Sequence, residues 1–392
     1  MIKILFIVIL IKYGGAIEDI KDVRCNQKIQ FPLNQNEGFT EGVRGEDQNY
    51  YLQTYKRILK TNSEQQTLAI VDEADSSNYS CQRVVNHPDG VHVFSVCLEY
   101  GVKPYVSAYN CKDNICQQVG QTQQIWNCGD QFSKLEVIGN TFVVLNAQRD
   151  YPFYSNDQGR VMLMNYVLTE DTFYLKIPSY YLDFYFFGLI NKIDIVDFSI
   201  HQYEEEGLQM IKMFLSDRDN GLLWVDCQLK QNQLIPTSKG RIELRPYIFM
   251  KPQQIFLTSR FISKNNNQYD ILVASNNNDH HIVTVIFEND QVSQFFIKTS
   301  LNQYLDWHAM NRLDVYKSYF AITYWSPNNI SAISIYKLSE NSKNQALSTQ
   351  PIYTILLTQQ TYSVVFFGEN NNQEIVLNYR SQNNEITQCK LS

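Results

Sequence analysis

Residue types able to do chemistry are plentiful in this chain, but their spacing does not gather them. His280 and His281 are neighbours, Glu204, Glu205 and Glu206 form an acidic run, and Arg149, Arg160, Arg241, Arg245, Arg260, Arg312 and Arg380 are spread over more than half of the length. A metal ion needs donors that converge. Adjacent residues of a strand point to opposite faces, so the histidine pair does not readily close on one ion, and His87, His92, His201 and His308 stand apart from it. The same divergence separates the glutamates, which read as a solvated turn and not as a paired-carboxylate site. No G-x-S-x-G, P-loop, G-x-G-x-x-G or H-E-x-x-H occurs, which excludes the enzyme classes marked by a local motif. No catalytic, cofactor-binding or metal-binding residue is therefore predicted; sites assembled from separate loops stay open.

Sulfur carries more information. The eight cysteines are Cys25, Cys81, Cys97, Cys111, Cys116, Cys128, Cys227 and Cys389, an even number that an oxidising compartment would pair into up to four disulfides. There is no C-x-x-C, and no histidine pair stands at finger spacing near Cys111 and Cys116. The stretch "YNCKDNICQQV" instead reads as two strands joined by a four-residue turn, with Cys111 and Cys116 bridging them. Cys25 and Cys389 lie near opposite ends of the sequence and are expected in one terminal unit, where they would pair. Cys81, Cys227 and Cys389 occur in similar settings, "YSCQR", "VDCQL" and "TQCKL", so a local partner for Cys389 is the alternative.

The compartment has a second signal. "MIKILFIVILIKYGGA" carries Lys3, an apolar run from Ile4 to Ile11, and the small residues Gly14 and Ala16 before a predicted cut after Ala16. The apolar run ends at Lys12, short of the roughly 20 residues that span a bilayer. Residues 1–16 are read as a signal peptide and 17–392 as one domain, secreted or lumenal, without an integral membrane segment. Sequons at Asn78 and Asn329 agree with a glycoprotein. A net charge of -7 and a pI near 5.5 leave no basic stripe for a phosphate backbone, so no nucleic-acid partner is expected.

These residues must be positioned by strands. Aromatic residues make up 13% of the chain, with 26 Tyr and 22 Phe, a composition that suits pleated surfaces better than helices. No sustained helical stripe follows the signal peptide. What recurs is an apolar run, a polar turn and a second apolar run: "HVFSVCLEYGVKPYVSAYNC", "TFVVLNAQRDYPFYSNDQGRVMLMNYVL", "MIKMFLSDRDNGLLWVDCQL", "YDILVASNNNDHHIVTVIFEN", "YFAITYWSPNNISAISIYKL" and "EIVLNYRSQNNEITQCKL". Their turn markers, Gly101, Ser155, Ser216, Ser275, Ser326 and Ser381, lie 51 to 61 residues apart. A near-constant interval indicates an array. Runs such as "DTFYLKI", "KIDIVDFSI", "QIFLTSRFI" and "VSQFFIKT" supply further strands, the region from about 45 to 90 makes one more unit, and "YYLDFYFFGLI" reads as a buried strand pair. The prediction is an all-β chain, a single β-propeller of about six or seven four-stranded blades, with the Asn-rich tracts as hairpin tips.

Two of the turns carry a family resemblance. Ser155, Asp157 and Gly159 in "SNDQGRVM" resemble the S-x-D-x-G-x-x-aromatic Asp box of sialidases and other BNR-type propellers, with Met162 in the aromatic position. Asp219, Gly221 and Trp224 match its D-x-G-x-x-W half. Physically such a turn needs no reaction: the carboxylate accepts backbone N–H bonds, the glycine takes a positive φ and the aromatic tucks under the loop. The resemblance implies a propeller and, as a second reading, a sialidase-type glycoside hydrolase with an arginine cluster, a Tyr–Glu nucleophile pair and an Asp acid/base. That family's Arg-Ile-Pro signature is absent. The expected function is a non-enzymatic binding or scaffold module that contacts a protein or glycan ligand through loops on one face of the ring.

Overall fold

The computed structural model describes residues 23–29, 39–44, 49–54, 57–62, 67–73, 79–86, 92–99, 105–112, 115–125, 132–147, 159–176, 178–189, 193–217, 221–242, 244, 256–265, 267–275, 280–289, 291–300, 308–316, 319–325, 331–337, 351–357, 365–369, 374–380 and 386–391. The expected signal peptide, the sequon residues Asn78 and Asn329, and Ser155, Asp157 and Asp219 of the Asp-box turns lie outside the described residues.

The described strands form seven antiparallel sheets. Sheet 1 is Phe39–Arg44, Tyr50–Thr54, Arg57–Thr61 and Thr67–Glu73; sheet 2 is Tyr79–Asn86, His92–Glu99, Tyr105–Lys112 and Ile115–Gln124. Sheet 3 is Phe132–Ile138, Thr141–Ala147, Gly159–Leu168 and Phe173–Leu175, with Tyr180–Leu182 as a fifth strand beside Gly159–Leu168. Sheet 4 is Ile195–Glu205, Leu208–Asp217, Gly221–Lys230 and Gln233–Ile242. Sheet 5 is Phe256–Asn265, Gln268–Ser275, His280–Glu288 and Gln291–Ser300; sheet 6 is His308–Tyr316, Tyr319–Trp325, Ser331–Lys337 and Tyr353–Leu357. Sheet 7 takes Val365–Glu369, Ile375–Arg380 and Ile386–Leu391 from late in the chain and Val23–Ile29 from early in it.

The six repeated hairpins fall on the second and third strands of sheets 3 to 7 and of sheet 2. First strands of successive sheets touch in a closed circuit that returns from Val365–Glu369 to Phe39–Arg44; between sheets 3 and 4 the contact passes through the second and third strands of sheet 3. Apolar side chains fill the layers between neighbouring sheets. Val143, Leu163 and Met213 belong to the layer between sheets 3 and 4, Phe214, Trp224 and Val283 to that between sheets 4 and 5, and Ile333 and Leu377 to that between sheets 6 and 7. A sheet covered on both faces has no solvent side. The third strand of sheet 4 is accordingly buried without a break from Gly221 to Cys227, and its sequence "GLLWVDC" is a continuous run instead of an alternation.

Several expectations change. "YYLDFYFFGLI" is one short strand, Tyr180–Leu182, followed by a helical turn, α1, at Phe184–Phe187. Asp183 Oδ1 accepts the Phe186 N–H at 2.9 Å and starts that turn, a local capping option that the apolar count conceals. "YSCQRVV" opens sheet 2 and does not complete the unit before it, while "YYLQTYKRIL" splits into two strands of sheet 1. The turn expected to take four residues between Cys111 and Cys116 is shorter, because Lys112 and Ile115 belong to the strands and pair with each other.

Candidate functional site

Because each sheet is an up-and-down meander, its connections divide between two rims. One rim collects the links from first to second and from third to fourth strand, where Glu206-Gly207 and Gln231-Asn232 are two-residue turns with positive φ at both positions. The other rim collects the links from second to third strand and every crossing between sheets, including residues 148–158, 183–194, 243–255 and 276–279. Most of the long connections lie on this second rim, and the candidate site is the ground beneath them.

At the inner strands of sheets 3 and 4 that ground is charged. Lys134 Nζ donates to Asp197 Oδ1 at 3.2 Å and to the Phe198 carbonyl at 2.5 Å, and it lies 4.6 Å from the centre of the Phe198 ring. Asp197 sits where the register of Ile195–Glu205 shifts, and its Oδ1 also accepts the Phe198 N–H at 2.7 Å. The two side chains keep 14% and 12% of their exposure, so the pair reaches the rim without standing in solvent. Beside it, Asp217 Oδ2 accepts the Asp194 N–H at 2.8 Å, and Asp194, Asp217 and Ser216 are buried. The Asp197 and Asp217 carboxylates are spent on backbone and ammonium donors. They fasten the crossing from sheet 3 to sheet 4.

A second polar row crosses sheet 4 and is sealed. His201, Lys212, Asp226 and Ser238 are registered neighbours across its strands. Lys212 Nζ donates to Asp226 Oδ2 at 2.6 Å, Ser238 Oγ donates to the same oxygen at 3.0 Å, and the Lys212 and Asp226 side chains keep 3% and 5% of their exposure. The Lys212 ammonium is 3.9 Å from the centre of the Phe287 ring, 4.7 Å from Trp224 and 5.2 Å from Tyr269. Three ring faces and one carboxylate compensate the desolvated cation.

The predicted turn residues divide. Gly221 has φ +87, the left-handed value its turn requires. Gly159 does not have positive φ; it is required because a Cβ there would meet the Ile195 carbonyl oxygen at 2.1 Å, where the two sheets pair through Gly159 and Asp194. Trp224 does not tuck beneath its own hairpin: it lies in the layer between sheets 4 and 5, edge-on to Phe287 at 5.1 Å and against Gly240. Cys111 and Cys116 form a disulfide. Cys389 is also disulfide-bonded, whereas Cys227 is a buried free thiol.

Burial, reinforced by the Asp226 carboxylate, pushes the Cys227 thiol far above its ordinary range, so it is held protonated and does not act as a nucleophile. Of the arginines, Arg160 lies over the Tyr181 ring at 5.1 Å in sheet 3 and Arg241 is exposed on the outermost strand of sheet 4; these two do not converge. Arg149 and Arg245 lie outside the described residues. Glu204, Glu205 and Glu206 are exposed at a hairpin tip. His281 is buried within sheet 5, and His201 stacks on Tyr203 at 5.6 Å. Among the described residues no helix is long and apolar enough to cross a membrane. The Lys134–Asp197 pair and the Lys212 row had no sequence signal, since each joins residues whose proximity depends on strand register or sheet packing.

No protein-family model and no curated protein matches the sequence. Solved structures do. The β-propeller domain of Vanderwaltozyma polyspora Nup133 superposes with a TM-score of 0.54 at 11% identity, covering 94% of this chain and 97% of that one. The fold is a β-propeller. Chaetomium thermophilum Raptor gives 0.51 at 10% identity over 95% of this chain; the match spans 29% of Raptor. A putative 6-phosphogluconolactonase from Bacteroides uniformis is similar at 0.49 and 12% identity, over 91% of this chain and 92% of that one. At these identities the likeness concerns the propeller alone, and these three matches show nothing of an Asp-box or sialidase motif.

Proposed function

We propose that this propeller is a secreted or lumenal binding or scaffold module that holds a protein or glycan ligand with the loops of its longer rim. The observation that carries this reading is the contrast between rims: the described turns of one are minimal, while the other bears most of the long connections, above carboxylates already committed to backbone donors. Such a base presents loops rigidly. Disulfides at Cys111–Cys116 and at Cys389 support an oxidising compartment.

The test uses secreted, glycosylated protein on glycan and ectodomain arrays, with a fluorogenic sialoside assayed in parallel. Replacing residues 276–279 and 381–385 with Gly-Ser linkers is expected to abolish the array signal, and replacing the Gln231-Asn232 turn is not. Turnover of the sialoside that survives purification would overturn the non-enzymatic reading. Binding that survives the loop exchanges but is lost with the turn exchange would move the site to the other rim.

A further inference from the structure

We propose that Cys389 is bonded to Cys25 and that this disulfide is the covalent latch of the ring. Sheet 7 is the one sheet whose strands do not follow one another in sequence: Val23–Ile29 pairs with Ile386–Leu391 and completes it. Cys389 is buried and disulfide-bonded. Its registered neighbour on one side is Leu377, and on the other it is Cys25. Registered opposition also accounts for the other cysteines whose state is described. Cys111 and Cys116 face each other across two strands and are bonded. Cys227 faces Ile211 and Pro236 and is a free thiol. The local partner that the resemblance among "YSCQR", "VDCQL" and "TQCKL" allowed for Cys389 is absent from its own hairpin.

Closing the latch removes two protons and two electrons from two thiols. A disulfide donor of the secretory lumen, such as oxidised glutathione or a disulfide oxidoreductase, accepts the electrons and leaves as two thiols after exchange through a mixed disulfide. Consequently ring closure is redox-dependent. With the bond intact, Val23–Ile29 is tethered to the sheet it completes; after reduction its pairing with Ile386–Leu391 and the packing of Val365–Glu369 against Phe39–Arg44 hold the seam without a covalent link, and the seam is the part of the ring that opens first. This inference does not depend on the ligand.

Non-reducing peptide mapping of the secreted protein, with free thiols alkylated beforehand, decides the connectivity. The expected product is a linked pair of peptides containing Cys25 and Cys389. Cys389 linked to Cys81, Cys97 or Cys128, or recovered alkylated, overturns the proposal. Hydrogen exchange then tests the latch in a Cys111→Ser/Cys116→Ser background. Mild reduction is expected to raise exchange in residues 23–29 and 386–391 on the order of a hundredfold while residues 221–230 stay protected. Unchanged exchange at 23–29 overturns the latch even where the bond is found. Both measurements use chains that retain Cys25 and Cys389, so neither depends on how well a seam variant folds.

Discussion

Lys212 shows how a single residue can be costly and still retained. An ammonium withdrawn from water loses several kcal/mol of hydration, and here one carboxylate and three aromatic faces replace that water. Removing one partner leaves the other charge uncompensated. Asp226→Ala is therefore expected to lower stability by about 3 to 5 kcal/mol, and Lys212→Met combined with Asp226→Leu by less, as read from urea denaturation. Tyr379 offers a pH test. Burial, opposed by a hydrogen bond with Thr387, raises its phenol above the ordinary 10.0. The folded state thus favours the protonated form, so its contribution is complete below pH 10 and is lost as pH rises through the folded value. Tyr379→Phe should flatten the alkaline loss of stability, and an unchanged alkaline limb would refute that assignment.

At the scale of elements, close approach between sheets sets the tolerances. A Cβ at Gly159 would meet backbone of sheet 4, and one at Gly240 would meet the Trp224 indole at 2.7 Å. Gly159→Ala and Gly240→Ala are each expected to cost about 1 to 3 kcal/mol, with Gly159 the worse because backbone cannot step aside as a side chain can; thermal melts of the two variants check the order. The Cys111–Cys116 bond closes only a short loop, so Cys111→Ser/Cys116→Ser should lose about 2 kcal/mol. A loss well above that would mean that the bond also sets the packing of Tyr51 and Ile58, which lie in the same layer as Cys111.

At the scale of the whole molecule, the described sheets form a ring in which neighbouring sheets pack face to face, so that among the described residues exposure falls mainly on the outermost strands and the two rims. The exposed apolar residues are consistent with that division, for Ile115 and Tyr185 belong to an outermost strand and to the α1 insertion. Processing is the prediction at this scale. Secreted material should begin at Ile17 and lose mass on enzymatic deglycosylation at Asn78 and Asn329; N-terminal sequencing that finds Met1, or an unchanged mass, would remove those two supports for the compartment.

Strand and turn chemistry is local, and the sequence alone determined that much. The apolar runs and polar tips of "MIKMFLSDRDNGLLWVDCQL" and "YDILVASNNNDHHIVTVIFEN" mark hairpins because β-branched and aromatic residues fill pleats while Asn, Asp and Gly fill turns. Their constant interval disclosed the array. Pairing between distant strands left no such trace. Nothing around Lys134 announces Asp197, and nothing around Lys212 announces Phe287, because those contacts arise only when one sheet packs on the next. Gly159 shows the same limit in one residue. Its place in an Asp-box pattern implied a positive φ, whereas its actual constraint is the Ile195 carbonyl of the neighbouring sheet. The seam followed the same rule: Cys25 and Cys389 could be matched as the cysteines nearest the two ends, but only sheet pairing decided that their backbones lie opposite, since register is set by the hydrogen-bonded ladder and not by either strand alone.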